Sequence, residues 1–378
     1  MIHQQHPLTS TCLGTHRLIN SFHFGQAGSS AGKAYIQASL HADELPGMLT
    51  AWHLKQALKT LEAAGRIEGE IILVPQANPI GHAQSLQGYH LGRFELGSGQ
   101  NFNRHYPSVT GAVYASVKDQ LGTDAKANTR LIRAAIRDAV AACPQETELA
   151  SQRKTLMGLA ADADIVLDLH CDCNAALHVY TGTPLWPQCE PLARLLGSHA
   201  QLLATESGDY PFDEACSQTW WEIETLCRRD GIDAPIEMAC LSVTVELRGQ
   251  HHVSHALAEK DALAILDFLR YRGLITADDS PQLPELVYPA TPLAGSENLV
   301  APHAGVVSYL VAPGSVVSAD QPVAEVIDPI SDTVSVLASR HGGMLYAHEL
   351  HPYATTGMSV AKVATQQAFK SGKLLSAR

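Results

Sequence analysis

The order of apolar runs between residues 34 and 75 constrains the fold most strongly. Residues 34–40 (AYIQASL) form a short apolar run typical of a buried strand, and a second such run, EIILVP, covers residues 70–75. Residues 46–64 between them have a helical pattern, with Pro46 in the first turn and Gly65 as a stop signal. A strand, a helix and a strand in this order predict a parallel crossover.

The same alternation continues to about residue 271. Helical patterns lie near residues 124–142, 187–204, 213–229 and 254–271, and strand-like runs lie at residues 164–170, 177–180 and 241–247. Alternating strands and helices predict an α/β domain with a mixed sheet flanked by helices. We assign this domain to residues 1–280.

The composition of the sequence changes after about residue 275. The segment SPQLPELVYPATPLAGSENL is rich in proline and polar residues, which is typical of a linker. From Val300 onward, short β runs alternate with Pro-Gly, Asp-Pro and Gly-Gly turns. We therefore predict a linker and a small all-β domain over residues 281–378.

Composition narrows the classes of partner. The formal net charge is -12, and no Lys/Arg cluster stands out, which argues against nucleic-acid or anionic-membrane binding. No apolar stretch approaches the roughly 18 residues of a membrane span, and the start lacks the pattern of a secretory signal. The eight cysteines are then expected to be reduced thiols. We expect a cytoplasmic protein. The sequence does not determine its oligomeric state, and a homo-oligomer is possible.

The sharpest local signal is His41-Ala42-Asp43-Glu44, directly after the first strand and before a helix. Side chains three residues apart at the start of a helix lie on the same face, so His41 and Glu44 can bind one ion. Ligands in open α/β sheets bind at the carboxyl ends of strands, where this motif lies. The alternative is a solvated helix start.

A second signal ends the apolar run ADIVLDLH. His170 can complete a His/Glu/His set, which is a ligand count of catalytic zinc sites. Strand alternation places Asp168 and Asp172 on the side of His170, where either can orient a ligand. Alternation also turns Cys171 and Cys173 away, so we interpret them as packing thiols rather than metal ligands.

Two further segments carry candidate functional residues. Arg93 precedes the loop Asn101-Phe102-Asn103-Arg104, and two arginines in an acidic protein can clamp a carboxylate and polarise a carbonyl. Surface ion pairs are the alternative. Glu246 lies near the end of the apolar strand VTVEL and is either a general base at a metal site or an edge-strand glutamate paired with Arg248.

Together these segments resemble the succinylglutamate desuccinylase/aspartoacylase family of the zinc-carboxypeptidase superfamily. The order His41/Glu44, Arg93, Asn103-Arg104, His170 and Glu246 over residues 33–250 matches the family's order. One departure is NFNR where many members have aspartate and leucine before the N-R pair, although Asn103 and Arg104 still match. The substrate-side tyrosine is not identified, and Tyr180, Tyr210 and Tyr353 are the candidates.

The resemblance implies a zinc-dependent amidohydrolase with one Zn²⁺ per subunit and a small N-acyl amino acid as substrate. His41, Glu44 and His170 would hold the metal, Glu246 would act as general base, and Arg93 would stabilise the oxyanion. Asn103 and Arg104 would hold the substrate's α-carboxylate. The alternatives are a metallocarboxypeptidase acting on peptides and a non-catalytic binding protein that keeps the fold.

The C-terminal segment resembles the small barrel-sandwich domain that members of this family append. A biotin or lipoate carrier needs a lysine on an exposed hairpin, but no lysine occurs between Lys260 and Lys362. The hairpin position has Asp328-Pro329-Ile330 instead. We therefore expect this domain to shield the mouth of the active site or to form an oligomer interface.

Overall fold

A nine-stranded mixed sheet forms the centre of the molecule in this computed structural model, which describes residues 1–279 and 281–375. The strands are β1 (Ile2–Pro7), β2 (Leu18–Phe24), β3 (Lys33–Ala38), β4 (Glu70–Val74), β5 (Ser85–Leu86), β6 (Tyr89–His90), β7 (Ile165–Asp172), β8 (Asn174–Ala175), β9 (His178–Gly182), β10 (Ala200–Ala204), β11 (Leu241–Gly249), β12 (Thr291–Pro292), β13 (Ser296–Val300), β14 (Gly305–Tyr309), β15 (Ser315–Val317), β16 (Pro322–Asp328), β17 (Thr333–Ala338), β18 (Gly343–His348), β19 (Tyr353–Ala354) and β20 (Ser359–Ala364). The helices are α1 (Pro46–Ala63), α2 (Pro79–His82), α3 (Thr110–Val117), α4 (Ala125–Ala141), α5 (Glu148–Ala160), α6 (Trp186–Leu196), α7 (Phe212–Arg229) and α8 (His255–Tyr271).

The order of strands in the large sheet is β1-β2-β4-β3-β7-β11-β9-β10-β12. Its central strands β4, β3, β7 and β11 are parallel, and β3, α1 and β4 form the predicted crossover. In register, Ala38 of β3 lies opposite Leu169 of β7, and His170 of β7 lies opposite Glu246 of β11. The carboxyl ends of three neighbouring strands therefore meet at one edge, where α/β sheets bind ligands.

Apolar side chains cover both faces of this sheet. Alternate residues of a strand point to opposite faces, so Ile36 packs with Leu167 under α1, α6 and α8, while Tyr35 packs with Val166 under α3, α4, α5 and α7. All four side chains are fully buried. Strands buried on both faces explain the continuous apolar runs in the sequence.

The C-terminal region consists of two antiparallel sheets. One has the order β13-β20-β18-β15 and the other β17-β16-β14-β19. The short strand β8, directly after β7, pairs with β18, with Ala175 opposite Ala347. The predicted mixed sheet flanked by helices and the small all-β region are both confirmed.

The helix predicted over residues 187–204 is wrong in its second half. Helix α6 ends at Leu196, because Gly197 adopts a left-handed conformation that stops it. Residues Ala200–Ala204 instead form β10, which pairs with β9 and β12. Ala200 and Leu202 are fully buried, so the apolar pattern reflects burial in the sheet and not a helix face. Strands β1 and β2 and helices α3 and α5 were not predicted.

The predicted linker contributes a strand to the large sheet, since β12 pairs with β10. The predicted domain boundary falls at residue 280, which lies outside the described residues, as do residues 376–378, so the division at 280/281 stays a prediction. Within the described ranges, no helix is both long enough and apolar enough to cross a membrane.

Candidate active site

Three buried side chains from two strand ends converge at the edge of the sheet. Nδ1 of His41 lies 2.9 Å from Oε1 of Glu44, and Nδ1 of His170 lies 2.8 Å from Oε2 of the same carboxylate. Ligand atoms of all three residues lie within 4.8 Å of one another, and each residue is at most 3% exposed. The three predicted metal ligands therefore share one centre.

A tight turn after β3 brings His41 and Glu44 together. Ser39 takes a left-handed conformation with φ 61°, and the Glu44 N–H donates to the His41 carbonyl. Helix α1 begins two residues later at Pro46, so the pair lies on a turn and not on the helix itself. The spacing of three residues still aligns the two side chains, because the turn has the same i to i+3 hydrogen bond as a helical turn.

The outer nitrogens of both imidazoles have polar partners. Nε2 of His41 lies 2.9 Å from Oδ1 of Asn101, and Nε2 of His170 lies 2.9 Å from Oδ2 of Asp168. The other oxygen of Asp168 accepts from Nε2 of Gln37 at 2.9 Å. Such partners fix the ring orientation and leave each Nδ1 facing Glu44.

Electrostatic interactions within the cluster shift the pKa values of Glu44 and His170 in opposite directions. Burial acts to raise the pKa of Glu44, but His41 and His170 outweigh it and hold that pKa well below its usual range. Burial acts to lower the pKa of His170, but Asp168 and Glu44 outweigh it and raise that pKa well above its usual range. Two imidazole nitrogens and a carboxylate are also a donor set of catalytic zinc sites, so the residues present fit a divalent metal.

Glu246 lies beside this cluster with an unpaired carboxylate oxygen. Its Oε2 is buried and has no hydrogen-bond partner within the described part of the chain. Burial, followed by the charge of Glu44, raises the pKa of Glu246 to about 8. The alternative of an edge-strand glutamate paired with Arg248 is wrong, because β11 lies between β7 and β9 and Arg248 pairs with Asp261 at 2.6 Å.

Arg93 reaches the cluster from a loop that packs against the turn. Its Nη1 lies 3.1 Å from Oε1 of Glu44, and its side chain is 41% exposed toward the cleft. The preceding Gly92 accepts a hydrogen bond from the Ala42 N–H, and a Cβ there would lie 2.1 Å from the Asp43 nitrogen. Only glycine permits this close approach of the two loops.

Asn103 and Arg104 lie on a buried segment and not on an exposed loop. Each is 5% exposed, so Arg104 does not form a surface ion pair, while Arg93, the other arginine of that alternative, pairs with the buried carboxylate of Glu44. Oδ1 of Asn103 accepts from the Phe212 N–H at 2.8 Å, and Nη1 of Arg104 donates to the Asn103 carbonyl at 2.6 Å. The segment is thereby fixed beside the start of α7.

One cleft joins all seven predicted site residues. Its far wall comes from the C-terminal region and includes Ser296, Tyr346 and Lys362. Nζ of Lys362 lies 2.6 Å from Oδ2 of Asp172, two residues after His170. The C-terminal region is therefore part of the wall of the candidate site.

Comparisons with known proteins identify the family. A family model for the succinylglutamate desuccinylase/aspartoacylase catalytic domain matches residues 30–272, which is more than half of the chain. The chain belongs to the succinylglutamate desuccinylase/aspartoacylase family. A search of curated proteins gives no match.

Several solved structures align with nearly the whole chain. A succinylglutamate desuccinylase/aspartoacylase family protein from Shewanella amazonensis has 25% identity and a TM-score of 0.82, covering 97% of this chain and 99% of its own. A succinylglutamate desuccinylase/aspartoacylase from Shewanella frigidimarina has 23% identity and a TM-score of 0.83, covering 96% and 97%. The product-bound ectoine utilization protein EutE from Ruegeria pomeroyi has 15% identity and a TM-score of 0.67, covering 96% and 94%. The last two show a shared fold only.

The sequence did not identify every residue of this family member's cleft. Among the tyrosine candidates, Tyr180 lines the cleft, Tyr210 bonds to Ser108, and Tyr353 is 59% exposed. Tyr346, which was not a candidate, lines the cleft with its hydroxyl 2.7 Å from Oγ of Ser296. No local signal distinguishes Tyr346, because its position depends on how β18 docks against β8.

Proposed function

We propose that this protein is a zinc-dependent hydrolase that cleaves the amide bond of a small N-acyl amino acid, with one Zn²⁺ per subunit. The observation that carries the proposal is the buried cluster of His41, Glu44 and His170 beside a carboxylate oxygen of Glu246 that has no hydrogen-bond partner in the described part of the chain. The family's catalytic domain supplies the class of hydrolase. We keep the prediction of a cytoplasmic enzyme.

The metal would be held by His41, Glu44 and His170. When bound, zinc supplies a Lewis acid that makes hydroxide available near neutral pH and polarises a carbonyl group. Asn101 and Asp168 would keep both imidazoles oriented through their outer nitrogens. The protein would thus provide three buried metal ligands whose imidazole rings are held in a fixed orientation.

Glu246 would act first as the general base and then as the general acid of the reaction. Glu246 lines the cleft and its Oε2 has no hydrogen-bond partner among the described residues, so this carboxylate would accept a proton from water and later donate it to the departing amine. The pKa of Glu246 is raised to about 8 by burial and by the charge of Glu44. A divalent cation held by the cluster would lower the pKa of Glu246 toward the working pH. A base whose pKa lies near the working pH serves both transfers.

Two arginines would bind the charges of the substrate. Arg93 projects into the cleft next to Glu44, where its guanidinium can stabilise the oxyanion that forms on the scissile carbonyl. Arg104 is buried and has no carboxylate partner among the described residues, although it lines the cleft. It would hold the α-carboxylate beside Asn103 and so fix the amide in place.

The lining of the cleft favours an N-acyl amino acid over a peptide. Tyr346, Lys362 and other residues of the C-terminal region form one wall, which leaves room for a small molecule. A metallocarboxypeptidase would need a path for a long chain through that wall. Purified enzyme should hydrolyse N-acetyl or N-succinyl amino acids and leave peptides intact, while the reverse preference would contradict the proposal.

Metal analysis and one substitution test the chemistry. Purified protein should contain about one zinc per chain, whereas its absence even after zinc addition would favour a non-catalytic binding protein. Glu246→Gln should retain zinc and lose at least about 100-fold in kcat. The control Glu259→Gln removes an exposed carboxylate on α8 and should leave both quantities unchanged. Turnover retained by Glu246→Gln would remove it from the role of base.

A further inference from the structure

Strand β17 lies at an open edge of the C-terminal region. Within residues 1–279 and 281–375 it pairs only with β16, so it ends the sheet β17-β16-β14-β19. The outward backbone N–H and C=O groups of an edge strand can pair with another chain. What prevents or permits such pairing is the side chains that the strand carries.

The other sheet edges in the described ranges have features that discourage pairing. Strand β1 has the sequence IHQQHP, which is mostly polar and ends in proline, and β13 carries the charged Glu297. Strands β5, β6, β12, β15 and β19 have three residues or fewer. By contrast, β17 has six residues, TVSVLA, with neither a charge nor a proline. Natural edge strands avoid this combination because it promotes association.

The outer face of the sheet beside this edge is apolar. Val306 of β14 lies opposite both Tyr353 and Ile327, and Ile327 lies opposite Val334 of β17. These four side chains form one row across the sheet, and those of Tyr353, Val306 and Val334 are 59%, 49% and 53% exposed. Val336 in the next row is 56% exposed. A contiguous exposed apolar surface is typical of an interaction site.

The charges that flank β17 are complementary to one another. Asp332 and Arg340 lie four residues before and four residues after Val336, and both are exposed. Neither side chain has an ion-pair partner in the described part of the chain. An antiparallel pair of β17 strands centred on Val336 places Asp332 of each copy opposite Arg340 of the other. This register also keeps the apolar faces of both copies on the same side of the joined sheet.

The distribution of charge favours a second copy of this chain as the partner. Each copy has a formal net charge of -12, so two copies repel one another over most of their surfaces. The strand itself is uncharged, and two pairs of Asp332 with Arg340 add attraction where the copies meet. Because Arg340 is the only lysine or arginine between residues 301 and 361, this attraction depends on the register centred on Val336.

We propose that two copies of the chain associate through β17 into a dimer with two-fold symmetry. The dimer joins two four-stranded sheets into one of eight strands, with β17 of both copies at its centre. Each copy uses its open edge, and the joined sheet ends in the two-residue strand β19 on both sides, so association stops at two copies. One strand pair is small beside the roughly 1,200–2,000 Å² buried in specific complexes, so the dimer dissociates in the micromolar range.

This interface is separate from the candidate active site. The residues that line the cleft include none from β14, β15, β16 or β17. The inference therefore goes beyond the proposed function and does not depend on it. Variants that dissociate the dimer should keep the activity of each chain, which provides a check on their folding.

Analytical ultracentrifugation of the full chain tests the proposal between about 1 and 100 µM. The wild-type protein should change from monomer to dimer over this range. Val336→Glu places two carboxylates side by side at the symmetry axis and should weaken dimerisation at least about 10-fold. The control Val306→Glu adds the same charge to the same face two strands from the edge, and it should leave the dissociation constant unchanged.

Two results of the centrifugation would overturn the proposal. One is a wild-type protein that stays monomeric throughout. The other is a dimer that Val306→Glu dissociates as readily as Val336→Glu does, because the face of the sheet and not its edge would then be the interface. Circular dichroism spectra that match the wild-type spectrum should show that both variants fold.

Exchange of charges tests the register of the two strands. Asp332→Arg and Arg340→Asp each place like charges opposite one another twice, so each should weaken dimerisation at least about fivefold. The double variant restores both attractive pairs and should return to the wild-type dissociation constant. A double variant that dimerises no better than either single variant would contradict the pairing centred on Val336.

A cysteine at the symmetry axis tests the contact directly. In a Cys12→Ser background, which removes the exposed native thiol, Val336→Cys should form a disulfide between two copies under mild oxidation. Cα atoms directly opposite in an antiparallel pair are about 4.5–5.5 Å apart, which a disulfide can span. The control Val306→Cys lies five strand spacings, roughly 24 Å, from its counterpart and should remain a monomer on a non-reducing gel. Equal cross-linking by both variants, or none by Val336→Cys, would refute the proposed dimer.

Discussion

Replacing Lys362 with Met removes the charge that joins the C-terminal region to the end of β7. Nζ of Lys362 lies 2.6 Å from Oδ2 of Asp172, and Asp172 lies two residues after His170. Met has a similar length and no charge, so the substitution leaves the carboxylate of Asp172 in place without its partner. The substitution should lower the free energy of unfolding and raise the pKa of Glu246.

The loss of stability follows from the titration of Asp172. Burial acts to raise the pKa of Asp172, but Lys362 above all, together with His178 and the Cys173 N–H, outweighs it and lowers that pKa from 3.8 to about 2. That difference corresponds to roughly 2.4 kcal/mol, and because the Lys362 side chain is 35% exposed we discount it to about 1–2 kcal/mol. A lowered carboxyl pKa contributes stability above pH 4 that is lost as the pH falls toward 2.

A double-mutant cycle with Lys362→Met and Asp172→Asn measures this coupling by urea denaturation at pH 7. The control is Lys33→Met, which breaks a partly buried pair with Asp162 (2.5 Å) at the amino end of β3, at the opposite end of that strand from the site. The control should lower the free energy of unfolding and leave kcat/KM unchanged. A coupling energy below about 0.3 kcal/mol between Lys362 and Asp172 would refute the reasoning.

The same substitution should change the pH dependence of catalysis. Lys362 acts to lower the pKa of Glu246, whereas Asp172 acts to raise it. Since the base must be deprotonated, kcat/KM should rise with pH, and in Lys362→Met this rise should shift to higher pH. The Lys33→Met protein should keep the wild-type profile. An unshifted profile in Lys362→Met would contradict the link between the two groups.

Three further substitutions probe other parts of the site and core. Asp168→Asn should weaken zinc affinity by about 10- to 100-fold, measured by competition with a chelator, because Nε2 of His170 loses its carboxylate partner; unchanged affinity would contradict that role. Gly92→Ala should reduce kcat/KM at least about 10-fold, because the added Cβ would lie 2.1 Å from the Asp43 nitrogen and push the two loops apart; full activity would show that the loops adjust. Leu167→Ala should cost about 2–5 kcal/mol in urea denaturation, because Leu167 is fully buried in the sheet, whereas Val334→Ala at a 53% exposed position should cost less than about 0.5 kcal/mol.

Much of the candidate site could be predicted because its residues follow strong local signals. His41, His170 and Glu246 each lie at or near the end of a continuous apolar run, and parallel strands bring such ends to one edge. The missed parts depend on contacts distant in sequence. The apolar residues at 200–204 fit a helix face and a buried strand equally well, and only pairing with β9 and β12 decides between them.

The open edge at β17 shows a second limit of sequence reasoning. Residues 333–338 have the pattern of a strand, but an uncharged strand fits the centre and the edge of a sheet equally well. Only the strand order β17-β16-β14-β19 places it at the edge, and that order has no local signature. Likewise, Lys362 was noted only as the first lysine after Lys260, and its pairing with Asp172 required the docked C-terminal region.

The pairing of β8 with β18 has a consequence for how the protein matures. Strand β8 follows the metal-ligand strand directly, while β18 and β20 lie more than 160 residues later in the chain. A nascent polypeptide released only through α8 would hold the candidate metal ligands but no far wall to the cleft. The protein should therefore become active only late in translation. Chimaeras that exchange the C-terminal region between relatives should combine the selectivity of both parents only where the pairing of β8 with β18 is restored.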